Sequence, residues 1–153
     1  MTSGLHWSVE GLAVSGRIAV PFDYSAGKTA SRFLRELRDH QRIFGKRCPN
    51  CLKIWVPPQA SCVECFVETF DWVELSPEGL LLSHTWISSP KPHHPPLRPL
   101  IYGLIRLQGA HNNLVHLIRF DEPGELQNGI RVKAVFSKQR RGHILDIAYF
   151  RPI

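Results

Sequence analysis

All four cysteines of the chain lie between residues 46 and 66, as Cys48, Cys51, Cys62 and Cys65. They form two C-x-x-C pairs separated by ten residues. Each pair can close a tight knuckle whose backbone N–H groups point at the thiolates. The ten residues between them suffice for a strand, a turn and a strand that carry the second knuckle over the first. Four thiolates then meet at a tetrahedral centre with metal–sulfur distances of about 2.3 Å. Zinc suits an all-sulfur set best, and an iron centre of rubredoxin type is the chemical alternative. Two structural disulfides or a redox-active pair are the competing readings. A thioredoxin-type motif uses one pair only, and no secretory pattern precedes these cysteines. A fully ligated four-cysteine site keeps no position open for water, so the expected role is structural.

The chain has 153 residues, enough for one ordinary domain or a domain with a small appendage. Its net charge of +6 favours an anionic partner such as nucleic acid, a phosphorylated cofactor or an acidic protein surface. No run approaches the roughly 18 apolar residues of a membrane-spanning helix. The first residues lack a basic segment followed by an apolar run, so no secretory leader is expected. Cysteines in metal spacing with none left over fit a reducing compartment, and the expected location is the cytoplasm.

Three segments follow from the patterning: an N-terminal arm and helix over 1–45, the ribbon over 46–66, and a β-barrel over 67–153. In the arm, Leu12, Val14, Ile18, Val20 and Phe22 alternate with glycines and a proline. An arm with so little core of its own is either frayed or laid on a partner, and its apolar residues argue for docking. Residues 29–44 read as a helix, with Thr29 or Ser31 as cap and a stripe of Phe33, Leu34, Leu37 and Phe44 in which Gln41 bridges the gap. Arg32, Arg35, Arg38 and Arg42 lie mostly on the other side. This face is either solvated and locally paired with Glu36 and Asp39, or a cationic surface for a phosphate-bearing ligand.

From Val67 the texture changes to short strands: Val67–Leu75, Leu80–Ile87, Leu100–Leu107, Asn113–Phe120, Ile130–Phe136 and Ile144–Phe150. Ser76-Pro77-Glu78-Gly79 reads as a turn after the first of these, and Asp121-Glu122-Pro123-Gly124 as a turn after the fourth. Five or six strands at this spacing suit a small closed barrel of OB type, with an open sandwich as the alternative. Between the second and third strands, residues 90–99 hold five prolines. Such a loop is stiff and extended, fit to act as a lip against a partner or ligand. His93-His94 inside it are adjacent in an extended segment and point apart, with no further ligand at useful spacing, so no second metal site is expected there.

With these segments in place, the chain resembles the thiolase-associated zinc-ribbon/OB-fold proteins, a family long grouped as a domain of unknown function beside acyl-CoA enzymes. Tyr24-Ser25-Ala26-Gly27, Phe33-Leu34, Arg47-Cys48-Pro49-Asn50-Cys51 and Val56-Pro57-Pro58 carry the resemblance. So do Cys62 and Cys65, Trp72-Val73-Glu74-Leu75-Ser76, Gly79, Tyr102-Gly103-Leu104-Ile105 and Asn128-Gly129-Ile130-Arg131-Val132. The likeness covers about residues 22–151. It departs after the second and fourth cysteines, where the family often has glycine and this chain has Leu52 and Phe66. Those positions favour φ > 0.

The resemblance implies a mainly β chain: an N-terminal arm and helix, a rubredoxin-like zinc ribbon, then a C-terminal OB-fold barrel. It implies one structural zinc per chain and an accessory subunit bound to a thiolase-fold partner in a hetero-oligomer. Relatives accompany acetoacetyl-CoA thiolase with hydroxymethylglutaryl-CoA synthase, phloroglucinol acetyltransferases, steroid side-chain aldolases and benzoylsuccinyl-CoA thiolase, where the partner supplies the catalytic residues. Acyl-CoA would lie at or near the interface. The cations expected to face CoA are Arg32, Arg35, Arg38, Arg131, Lys133, Arg140 and Arg141. Leu12, Val14, Ile18, Val20, Tyr24, Pro92, His93 and His94 are expected to face the partner.

The residues support this independently. A thiolase needs a free nucleophilic cysteine, and every cysteine here is committed to the metal. The competing class is a single-strand nucleic-acid binder, which would want aromatics and cations mixed on the exposed barrel face. That region offers Trp86, Tyr102 and Arg106 among many aliphatics. Nucleic acid is the weaker reading, mainly on the strength of the resemblance.

Overall fold

A computed structural model describes residues 11, 16, 18, 20–120 and 126–153. Leu12, Val14 and the turn expected over residues 121–124 lie outside them. Helix α1 spans Gly27–His40. It starts two residues before the expected span of 29–44, with Ala26 rather than Thr29 or Ser31 at the cap position, and no side chain caps it. Instead Gly27 N–H donates to Ser25 Oγ at 3.2 Å. It also ends earlier. Gln41 turns left-handed at φ 57° and donates its N–H to the Glu36 carbonyl, so Gln41 and Phe44 leave the helical stripe. Phe33 and Leu37 alone form its fully buried face.

Phe44 belongs to β1 (Ile43–Arg47), which pairs antiparallel with β2 (Ile54–Trp55) and β3 (Asp71–Leu75) in the order β2-β1-β3. The strand expected to open the barrel is therefore an edge of the ribbon's sheet, in register Ile43↔Leu75 through Arg47↔Asp71. Glu78 and Gly79 are not turn residues but the first two of β4 (Glu78–Trp86). That leaves only Ser76 and Pro77 to link the two sheets.

The barrel closes through β4, β5 (Ile101–Leu107), β6 (Leu114–Ile118), β8 (Ile147–Pro152) and β7 (Arg131–Phe136). All neighbours are antiparallel except β6 and β8, which meet in parallel at Ile118↔Phe150. This order is the five-stranded OB topology. A register shift between Leu81 and Ser83 bends β4, letting one strand pair with both β5 and β7. Closure demands a near approach at Gly79, where a Cβ would run into the Arg106 carbonyl. The expected last strand begins instead as a short 3-10 turn at Ile144–Asp146. On β5, Ile101, Ile105 and Leu107 point inward, as their alternation predicts. Phe33, Leu37, Ile43, Ile54 and Val56 share one core with Leu81, Ile105, Ile118, Val132 and Phe150. Helix, ribbon and barrel are packed on each other.

Candidate metal centre and the surfaces around it

The four cysteine sulfurs lie within 4.8 Å of one another. Cys51 Sγ and Cys62 Sγ are 3.7 Å apart, close to the edge of about 3.8 Å expected of a tetrahedron with 2.3 Å metal–sulfur bonds. Two like-built knuckles arrange them. In the first, Cys48 N–H donates to Lys53 O at 2.9 Å and Leu52 N–H to Cys48 O at 3.0 Å. In the second, Cys62 N–H donates to Val67 O at 2.8 Å and Phe66 N–H to Cys62 O at 2.9 Å. Asn50 and Cys51 N–H point at Cys48 Sγ, and Cys65 N–H at Cys62 Sγ, at 3.4 to 3.5 Å. These are the donors a thiolate uses to spread its charge. Lys53 ties the knuckles together by pairing with Glu64 at 2.7 Å.

Without a cation the set is divided against itself. Burial pushes the Cys62 thiol up, but the backbone N–H groups of Cys65 and Glu64 outweigh it and bring it down to about 6. The hydrogen bond to Cys51, with burial behind it, pushes Cys65 up to about 12. Four thiolates in this space need a divalent ion. Cys48, Cys51, Cys62 and Cys65 would hold it, and zinc fits the all-sulfur donor set. The two positions that favour glycine keep the glycine-like backbone with other side chains: Leu52 has φ 61° and Phe66 φ 58°. Both side chains are exposed, Phe66 by 84%.

His111 and Asn112, on the turn between β5 and β6, lock ribbon to barrel. His111 N–H donates to Ile54 O at 2.9 Å, and Ile54 N–H to His111 Nδ1 at 3.0 Å. Val56 N–H donates to Asn112 Oδ1 at 2.8 Å, and Asn112 Nδ2 donates to Val56 O at 2.6 Å. Two residues thus imitate a paired strand along β2. No local spacing in the sequence signals this clamp.

The seven cations expected to face CoA do not form one surface. Arg131 and Lys133 both engage Glu78 at the β4–β7 seam, at 2.6 and 3.4 Å. Arg32 stacks its guanidinium 4.3 Å over the Trp72 ring, which Lys46 also approaches at 5.5 Å. Arg35, Arg38 and Arg141 line a groove of about 510 Å³ between α1 and the loop over 137–146, with Tyr24, Ser31 and Leu34. Arg140 stands behind it, donating Nε to Arg38 O at 2.6 Å and Nη1 to Ser137 O at 2.8 Å.

Of the residues expected to face the partner, Ile18, Val20 and Tyr24 are exposed, and Phe22 with them. Pro92 and His93 are exposed and His94 half-buried. His94 Nδ1 accepts from Lys91 N–H at 3.0 Å, folding the proline-rich lip on itself. On the outer face of the barrel, Ser83, His84, Thr85, Tyr102, Gly103, Leu104 and Val115 line a shallow groove of about 250 Å³ with no lysine or arginine. Among the described residues, no helix is long and apolar enough to cross a membrane.

Two family models match the chain: the ChsH2 rubredoxin-like zinc ribbon domain over residues 35–71, and the ChsH2 C-terminal OB-fold domain over 72–137. A DUF35 domain-containing scaffold protein of Pyrococcus furiosus is 28% identical over 127 residues, spanning 80% of this chain and 92% of its own. A DUF35 domain-containing scaffold protein of Methanocaldococcus jannaschii is 22% identical over 112 residues, 72% and 79% of the two chains. Among solved structures, a chain described as Ltp2-ChsH2(DUF35) aldolase aligns with a TM-score of 0.61 at 22% identity, covering 84% of this chain and 98% of its own. A DUF35-family protein of unknown function from Sulfolobus solfataricus aligns with the same TM-score and identity over 82% and 84%.

Proposed function

Because the chain belongs to the ChsH2-type family of zinc-ribbon and OB-fold proteins, we propose that it is a non-catalytic accessory subunit of a thiolase-type acyl-CoA enzyme. The observation that carries this is the convergence of all four cysteines on one centre, which leaves no thiol to act as the nucleophile of acyl transfer. The relatives named as scaffold proteins, and the aldolase whose name joins ChsH2 to Ltp2, support assembly with a partner. The partner makes or breaks a carbon–carbon bond in a CoA thioester, and this chain shapes one side of its substrate entrance. A catabolic β-ketoacyl-CoA or benzoylsuccinyl-CoA thiolase is the finer form of the proposal, in the cytoplasm.

The outer groove of the barrel, which carries no lysine or arginine, speaks against the nucleic-acid alternative. A single-strand binder tracks the phosphate backbone with cations across that face, and here His84 and Tyr102 sit among Ser83, Thr85, Leu104 and Val115 with no lysine or arginine beside them. The ribbon and the proline lip can instead order a pantetheine arm and exclude water from the reacting thioester. The test is an acyl-transfer or thiolysis assay on the chain, on its co-purifying partner and on the reconstituted pair. Turnover should need both; full activity of the partner alone would end this reading.

A further inference from the structure

We propose that the groove between α1 and the loop over 137–146 is a preformed site for the phosphates of a nucleotide, and that Asp146 positions its loop wall without touching the ligand. This rests on the accessory-subunit reading for the identity of that nucleotide, the adenosine bisphosphate end of CoA.

The loop is built around one buried carboxylate. Asp146 is 3% exposed and accepts from the N–H groups of Arg141 at 2.9 Å, Gly142 at 2.8 Å and His143 at 3.2 Å. Three successive N–H groups pointing inward make an anion nest, and this nest is filled by the chain's own side chain. The path needs Gly142 at φ 82°, a conformation other side chains adopt only with strain. Burial pushes the Asp146 carboxyl up, yet the three N–H groups outweigh it and hold it below its ordinary value.

Asp146 thereby fixes where Arg140 and Arg141 project. Arg140 is engaged with the carbonyls of Arg38 and Ser137, which pins the loop to the last turn of α1. Arg141 is left to line the groove, facing Arg35 and Arg38 of the helix. Arg38 shares its charge with Asp39 at 2.7 Å, whereas Arg35 and Arg141 have no carboxylate within ion-pair distance among the described residues. Guanidinium forks carried on a helix and on a hydrogen-bonded loop suit phosphate oxygens, and the backbone that carries them needs no ordering on binding. The exposed Tyr24 ring and Leu34 at the margin give a flat base somewhere to rest. The same geometry separates the arginines that build the site, Arg140, from those that would hold the ligand, Arg35 and Arg141.

The test is calorimetric titration of the metal-loaded chain with adenosine 3′,5′-bisphosphate, with adenosine as the phosphate-free control. The bisphosphate should bind saturably, weaken as salt rises, and outcompete adenosine. Arg141→Gln and Arg35→Gln should each weaken binding about tenfold or more at unchanged Tm. Asp146→Asn should weaken it similarly in the native chain and cost nothing further in the Arg141→Gln background, because it acts through that side chain. A purely structural Asp146 would lower Tm without this loss of additivity. If Asp146→Asn fails to fold, Gly142→Ala, which strains the same path, should show the same dependence on Arg141. Absence of saturable bisphosphate binding by the native chain, or binding indifferent to Arg35 and Arg141, would overturn the proposal. The accessory reading fails on a different result, full turnover by the partner alone.

Discussion

At the scale of single residues, the metal knuckles are tuned by positions that are not ligands. Leu52 and Phe66 hold left-handed backbones that cost an L-residue about 1–2 kcal/mol each. Leu52→Gly should therefore leave ribbon stability equal or higher by up to about 1 kcal/mol, the relief being offset by the entropy of glycine in the unfolded chain. Leu52→Val, branched at Cβ, should lower it; thermal melting of the metal-loaded protein reads both. Cys62→Ala removes a ligand whose site contributes on the order of 10 kcal/mol in small zinc modules, so elemental analysis should show the metal lost. Among the described residues, His116 is the one strongly buried imidazole. Burial holds its pKa below the ordinary 6.5, and its Nδ1 accepts from Leu117 N–H at 2.9 Å. The unfolded chain therefore takes up this proton first. Stability is fully present above pH 6.5 and falls as pH drops below it, and denaturant titrations at pH 7.5 and about 5.5 should show that loss shrinking in a His116→Gln variant.

At the scale of elements, the short β2 would be a weak strand left alone. Its two residues pair with β1 on one side, and His111 and Asn112 supply hydrogen bonds to it and to Val56. Asn112→Ala leaves the buried Val56 N–H and C=O without these partners and should cost about 2–3 kcal/mol. Amide exchange at Val56 should accelerate in that variant while barrel amides such as Ile105 stay protected, because the clamp joins the ribbon to the barrel rather than holding the barrel itself. The helix was legible from its apolar spacing, but its end was not. Gln41, with no glycine or proline to announce it, takes the left-handed conformation because Arg42 must turn into β1.

At the scale of the whole molecule, Ile18, Val20, Phe22 and Tyr24 stand exposed at alternate positions ahead of α1. Apolar side chains exposed at alternate positions suit docking on a partner, while the lip over residues 90–99 suits a wall. Deleting residues 1–22 should raise the dissociation constant for the partner with little change in turnover of the saturated complex. Shortening residues 90–96 should lower kcat more than it weakens assembly. Sedimentation of the complex beside steady-state kinetics separates the two, and a reversed pattern would exchange the roles assigned to arm and lip.

The cysteine spacing by itself determined the metal centre, because two C-x-x-C knuckles dictate their own backbone within a few residues of each sulfur. Alternation determined the barrel strands, since a strand with one buried face must repeat every second residue. Only the tertiary structure decided which sheet Asp71–Leu75 joins, since its pattern fits either an opening barrel strand or a ribbon edge. It also divided the cations. Arg131, Arg140 and Arg141 are equally basic in the sequence, yet one meets Glu78, one binds backbone carbonyls, and one lines a groove. Charge is a property of the residue, but a partner for it is supplied by segments distant along the chain, and local spacing carries no record of those.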